Sequence, residues 1–256
     1  MTHPLRLRQI CLAAPRLEPV VDDLQTILGL QVCHRDPGLI AYGLENALLP
    51  VGSDFIEVVA PVQADTAAGR FIRRSRGHGG YMAIFQCADP STVTAAQARA
   101  AALGVRTAHE IDRPGQYTSV QLHPRDCRAA FIELGHSPGG DDRANGTWWA
   151  AGPHWQAGVH TAVTQRLLGV ALESSEPAAL LAHWAAILGL PADAPVLQVD
   201  GTTITAEPGA ADALGALDLA VADVDAVLDR AVDRGHRVQG ASFHLAGVHI
   251  RLHTGP

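Results

Sequence analysis

The chain of 256 residues repeats itself, and that repeat limits what it can fold into more than any other feature. Residues 7–30 and 167–190 each read as a short apolar strand, a polar break and a helix ending Ile-Leu-Gly-Leu, at Ile27 to Leu30 and Ile187 to Leu190. In the first copy Leu17, Val20, Val21, Leu24, Ile27 and Leu28 recur at helical spacing. Gly29 and Gly189 stand at the C-caps, where glycine enters the left-handed conformation without a Cβ clash. A second pair, 81–105 and 217–238, follows the same order: strand, Ala-Asp break, then a helix ending near Gly104 or Gly235.

Strand-like runs follow each helix, separated by turn residues. They are 39–43, 47–51 and 54–60 after the first helix, and 105–110, 118–123 and 129–134 after the second. After the third only 196–199 and 202–207 are clear, and after the fourth come 237–238, 242–245 and 248–253. Each unit is therefore a βαβββ module, the third one shortened, which makes the fold class α+β. The repeat divides the chain into an N-terminal half, 1–134, and a shortened C-terminal half, 164–256. Residues 135–163 read as a linker or long loop, rich in Gly, Pro and Asp. Its Trp148, Trp149 and Trp155 should be packed, against the C-terminal half or a second subunit, because exposed indoles waste burial energy.

Composition narrows the function. A net charge of −7 argues against a nucleic-acid partner, which would need a basic face. Arg70, Arg73, Arg74 and Arg76 form a local basic cluster that reads first as a solvated face. No apolar run is long enough for a signal peptide or a membrane span, so a soluble, cytoplasmic protein is expected. Cys11, Cys33, Cys87 and Cys127 show neither a CxxC pair nor a zinc spacing and read as reduced thiols. There is no phosphate-cradling glycine loop, nucleotide fingerprint or nucleophile elbow, so no nucleotide cofactor is expected.

Two strands carry one glutamate each inside an apolar run, Phe55-Ile56-Glu57-Val58-Val59 and Phe131-Ile132-Glu133-Leu134. Alternation puts each Glu on the face opposite its immediate neighbours. The plain alternative is that each points from the solvent face of a half-exposed strand. Their matching places in two modules favour a functional reading, because a buried carboxylate needs a cation or a donor. Paired carboxylates could bind a metal, or one could act as a general base.

These strands, the Ile-Leu-Gly-Leu helix ends and the stretch His123-Pro124-Arg125-Asp126 together resemble the vicinal oxygen chelate superfamily. That superfamily holds glyoxalases, epimerases, extradiol dioxygenases and bleomycin-resistance proteins. The resemblance implies two half-open glyoxalase-like barrels. It also implies a divalent metal held by one residue from the first and last strands of each of two modules, acting as a Lewis acid on a developing enolate. Carried over, those positions are Gln9, Glu57, Met82 and Glu133. The metal ligands implied are thus Gln9, Glu57 and Glu133, an incomplete set, because the Met82 thioether suits a hard ion poorly. His78, His123 or His136 could substitute only if the fold places them. The equivalent positions of the other half, Gly169, Ile204, Ala216 and Arg251, imply no metal there and a structural or lid role.

If the fold is right, Tyr81, Met82, Asn46, His123 and Arg125 are further ligand-binding candidates, with Glu57 and Glu133 as the catalytic pair. Both carboxylates should then converge on one cleft. The leading function is metal-assisted proton transfer next to a carbonyl of a small molecule, of lyase or isomerase type. The alternative is a non-catalytic small-molecule binder of the bleomycin-resistance type. A scaffold for protein contacts is a third reading. The partner expected is a small-molecule ligand, with no nucleic acid and no membrane, and a homodimer is left open.

Overall fold

A computed structural model describes residues 4–75, 77, 79–191 and 195–255, which leaves Arg76 and His78 outside the described residues. The elements form four successive modules. Module 1 holds β1 (Leu5–Ala13), α1 (Leu17–Leu28), β2 (Leu44–Val51) and β3 (Asp54–Pro61), with a helix α2 (Ala67–Arg74) after it. Module 2 holds β4 (Gly80–Cys87), α3 (Pro90–Ala102), β5 (Thr107–Arg113), β6 (Tyr117–Leu122), the single turn α4 (Pro124–Cys127) and β7 (Phe131–His136). Module 3 holds β8 (Thr164–Ser174), α5 (Pro177–Leu188), β9 (Leu197–Val199) and β10 (Thr202–Pro208). Module 4 holds β11 (Ala213–Val221), α6 (Val224–Asp233), β12 (Ser242–Leu245) and β13 (Val248–Thr254). The fold is α+β, as its repeat implies.

The helix ends follow from the sequence. Gly29 (φ 67°) and Gly189 (φ 72°) cap α1 and α5 in the left-handed conformation. The aspartates of the two Ala-Asp breaks are N-caps: Asp89 accepts from Thr92 N, and Asp223 from Ala226 N. One expected strand is absent. Residues 39–43 lie mostly in a 3-10 helix, Pro37–Tyr42, because Pro37 opens the turn and the Asp36 carboxylate accepts from Gly38 N. The expected strand at 237–238 is reduced to a bridge from Val238 to Phe243.

The chain divides into two compact units, each drawn from separate stretches of sequence. Unit 1 comprises Met1–Gln9, Met82–Trp149 and Gly169–Leu214, and unit 2 comprises Ile10–Tyr81, Ala150–Leu168 and Gly215–Pro256.

In unit 1, β7 runs parallel to β4 and antiparallel to β6, and β6 pairs with β5. One face of these strands is apolar. Ala83, Phe85, Val120, Leu122, Ile132 and Leu134 are buried there, and α3 supplies Val93, Ala96 and Ala100. The register sets a second, polar face. Across the strands it aligns Ile84 with Glu133, Gln121 and His109, and Gln86 with Gly135 and Ser119. Residues paired across strands share a face, so these side chains form adjoining rows. Unit 1 also contains β9, β10 and most of β8, with α5 packed over β10. The Trp184 indole of α5 donates to the Cys127 carbonyl at 2.9 Å.

In unit 2, β2 and β3 pair antiparallel, and β13 lies between β11 and β12. Helices α1 and α6 pack together, and the Arg234 guanidinium of the turn after α6 binds Asp23 of α1 at 2.7 Å. None of the four cysteines forms a disulfide. Burial pushes the Cys33, Cys87 and Cys127 thiols up to about 12, which leaves them protonated and unreactive at neutral pH. Among the described residues no helix is long and apolar enough to cross a membrane.

Candidate active site

Glu133 sits at the centre of β7, with its carboxylate on the polar face of unit 1. It is buried, and both oxygens are met by donors from β6. The Tyr117 hydroxyl donates to Oε1 at 2.9 Å, and the Gln121 amide donates to Oε2 at 2.9 Å. The spacing of β6 explains this: Tyr117, Ser119 and Gln121 alternate with Thr118 and Val120, so a strand of period two delivers all three polar groups to one side. Tyr117 reaches Glu133 across Gly135, where a Cβ would collide with the phenol hydroxyl.

Burial raises the Glu133 carboxyl above its ordinary value of 4.5, and the neighbouring Ser119 with the hydrogen bonds from Tyr117 and Gln121 lower it only in part. Burial and the neighbouring Glu133 charge push the Tyr117 phenol well above 10.0. Tyr117 therefore stays protonated as a donor, while Glu133 can take up or release a proton nearer neutrality than a surface glutamate.

The segment after β7 roofs this face. The Gln86 amide donates to the Gly140 carbonyl at 2.8 Å. Trp149 stacks on Tyr117, with ring centroids 5.2 Å apart at 15°, and Trp148 meets it edge-on at 5.8 Å and 90°. The Trp148 indole donates to Gln9 Oε1 at 2.7 Å, and Arg113 lies 4.8 Å over the Trp149 ring. Trp148 is fully buried. Two buried polar atoms on this face have no hydrogen-bond partner among the described residues: Gln86 Oε1 and Ser119 Oγ. Ser119 lies near enough to Glu133 to affect its proton affinity, yet its hydroxyl makes no bond of good geometry.

Unit 2 holds Glu57, Asn46 and Tyr81. The buried Glu57 accepts from Asn46 Nδ2 at 2.7 Å, and Asn46 Oδ1 accepts from Asp36 N at 2.8 Å, which fixes the amide's orientation. Tyr81 is pushed up by burial and by the nearby Cys11 and Glu57, against the pull of Arg70 and Arg74. Its ring packs on Phe71 at 4.9 Å. Trp155 meets Phe55 of β3 edge-on at 5.1 Å.

Of the residues singled out from sequence, unit 1 contains Gln9, Met82, Glu133, His123 and Arg125, and unit 2 contains Glu57, Asn46 and Tyr81. His123 and Arg125 serve the α4 turn, where His123 Nδ1 accepts from Arg125 N at 3.3 Å. The tryptophans are packed as expected, and the contacts described are with Tyr117, Gln9 and Phe55 of the N-terminal half. Sequence reasoning passed over Tyr117, Gln121, Ser119 and Gln86, and named Trp148 only as packed, without placing it beside Gln9 and Tyr117. The alternation of β6 was the legible signal for three of them.

Within unit 1, Gln9 and Glu133 are oxygen ligands of the kind a divalent ion takes, and the two alone are an incomplete set. The amide oxygen of Gln9 and both oxygens of Glu133 already accept protein donors, and Met82 offers a thioether. Among the described residues no three His, Cys, Asp or Glu side chains group as a metal-binding cluster.

Residues 10–188 match the glyoxalase-like domain family. The fold is similar to that of a 4-hydroxymandelate synthase variant from Streptomyces coelicolor, at 18% identity and a TM-score of 0.67, covering 94% of this chain and 78% of that one. A methylmalonyl-CoA epimerase bound to methylmalonyl-CoA and NH4+ aligns over 52% of this chain and 94% of its own, at 25% identity and a TM-score of 0.44. The epimerase from Mycobacterium tuberculosis aligns over 54% of this chain and 91% of its own, at 22% identity and 0.45. No protein of curated function matches. The matched span exceeds half of the sequence, and the chain belongs to the glyoxalase-like domain family, within the vicinal oxygen chelate superfamily.

Proposed function

We propose that the chain acts on a small carbonyl compound in the cytoplasm, with Glu133 moving a proton at the carbon next to the carbonyl. The observation that carries this reading is a buried carboxyl of raised proton affinity held between a phenol and an amide. A general base works best when its pKa approaches the working pH, and burial moves Glu133 in that direction. On the same face Gln86 Oε1 and Ser119 Oγ have no hydrogen-bond partner among the described residues, and buried polar atoms of that kind call for a polar ligand group or an ordered water. In this reading Glu133 takes the proton, and Tyr117 and Gln121 hold the carboxylate in place. The Trp148–Trp149 roof excludes water and must move for a ligand to enter.

Transfer can be tested without knowing the substrate. The chain is incubated in D2O with a panel of 2-oxo acids, 2-hydroxy ketones and acyl thioesters, and exchange of the α-proton is followed by NMR. Exchange by the wild type that Glu133→Gln abolishes is the expected result. Exchange that survives Glu133→Gln contradicts the assignment.

The same roof favours a second reading, a binder without chemistry of the bleomycin-resistance type. That protein would protect some panel compound from solvent while exchanging no proton.

A further inference from the structure

We infer that Gln86 is a specificity-determining residue of the unit 1 site, and that its Oε1 selects a ligand carrying a hydroxyl group close to the carbon that Glu133 serves. The inference takes its site from the proposed reaction and adds the class of ligand.

The amide of Gln86 has one workable orientation. The Gly140 carbonyl accepts and cannot donate, so Nε2 must face it, and does so at 2.8 Å. Gly140 permits this approach, since a Cβ there would collide with Nε2. Oε1 is thereby left as a fixed acceptor. It is buried and has no donor among the described residues.

The register explains why no neighbouring strand supplies one. Gln86 of β4 and Ser119 of β6 both pair with Gly135 of β7, which has no side chain. The Tyr117 hydroxyl fills the place over Gly135, but its one hydrogen goes to Glu133. Ser119 Oγ is itself buried without a partner among the described residues. A fixed acceptor and a hydroxyl thus stand in one row on either side of β7. The next row, about 7 Å along the strands, holds Glu133.

A buried acceptor without a donor is costly, and a ligand that brings the donor recovers that cost. A hydroxyl meets both groups, giving its hydrogen to Gln86 Oε1 and accepting from Ser119. A methyl group in its place leaves both unsatisfied. An ammonium finds no charge in this row to offset its burial.

The test uses matched probes that differ by OH against CH3. They are hydroxyacetone with butanone, 4-hydroxy-2-butanone with 2-pentanone, and the glycolyl with the propionyl thioester of N-acetylcysteamine. Aminoacetone is the ammonium probe. Affinity for the full chain is read by saturation-transfer NMR of the probe, and the nitrogen-15 shift of the Gln86 side-chain amide marks the site. At least one hydroxylated probe should shift that resonance and bind about tenfold tighter than its methyl partner, the size of one unmade buried hydrogen bond. Gln86→Leu should bring the ratio close to one. Ser119→Ala, which removes a hydroxyl with no bond of good geometry, should lower it. The inference is overturned if no hydroxylated probe shifts the resonance, as when ordered water satisfies both atoms. It is overturned equally by a wild-type ratio near one, by a ratio that folded Gln86→Leu leaves unchanged, or by aminoacetone binding tighter than hydroxyacetone. If Gln86→Leu does not fold, Ser119→Ala decides in its place. The reaction is judged separately. A hydroxyl preference without α-proton exchange sinks the reaction alone, and exchange indifferent to the hydroxyl sinks this inference alone.

Discussion

Glu133 of unit 1 and Glu57 of unit 2 occupy the same place in two related modules, each in the middle of an apolar last strand, yet their surroundings differ. Glu133 accepts from a phenol and an amide of β6, and the phenol is packed by Trp149 stacked on it and Trp148 edge-on. Glu57 accepts from Asn46 of β2, an amide whose own oxygen is pinned by Asp36 N. The module fixes where the carboxylate sits, while the neighbouring strand decides what it can do. A donor pair that only partly offsets burial leaves Glu133 with a raised proton affinity.

The largest effects should come from the two indoles that pack on Tyr117 and Phe55. Trp148→Ala and Trp155→Ala each remove a fully buried ring and should each cost roughly 3–5 kcal/mol in denaturant unfolding. Only Trp148→Ala should change the environment of Glu133, because its indole and the Tyr117 ring are in edge contact. An equal effect of Trp155→Ala on Glu133 would break the comparison.

Next in size is the loss of a donor. Asn46→Ala removes an amide that both donates to the buried Glu57 and accepts from Asp36 N, and should cost roughly 1–3 kcal/mol, about the sum of two hydrogen bonds. Tyr117→Phe should cost less, about 1 kcal/mol. Glu133 keeps Gln121 and can respond by holding a proton. Equal costs measured at neutral pH would remove the distinction between the two glutamates.

The pH dependence of stability sharpens it further. Glu133 binds its proton more tightly folded than unfolded. Its favourable contribution is therefore complete below the unfolded value of 4.5 and is lost as pH rises from there through the raised folded value. Glu133→Gln, an uncharged mimic, should flatten that descending slope in unfolding measurements from pH 4 upward. A wild-type slope unchanged by the substitution would contradict the raised affinity. The smallest effect belongs to Arg113→Ala. It removes an exposed cation over Trp149 and should cost about 0.5–1 kcal/mol.

The modules were legible in the sequence because their signals are local: helical periodicity, Ala-Asp caps and glycines at helix ends. The turn at Pro37–Tyr42 was missed because an apolar run, Leu39-Ile40-Ala41-Tyr42, reads as a strand unless the Asp36 cap before it is weighed. Glu133 was found from its place in a strand. Its donors were not, since Tyr117 and Gln121 meet it through the register of β6 on β7, which no single segment encodes. Trp148 reaches Gln9 from 139 positions away. Composition marked that segment as packed, but its contacts with Tyr117 and Gln9 are pairings between distant positions that composition does not carry.

The central claim is that Glu133 is a proton-holding group kept in place by protein donors. Carbon-13 NMR titration of protein labelled at the glutamate carboxyls tests it most directly, with Glu133→Gln identifying the resonance. The midpoint should lie above 4.5, and Tyr117→Phe should move it higher by removing a bond that favours the ionised form. A midpoint at or below 4.5, unmoved by Tyr117→Phe, would contradict the account.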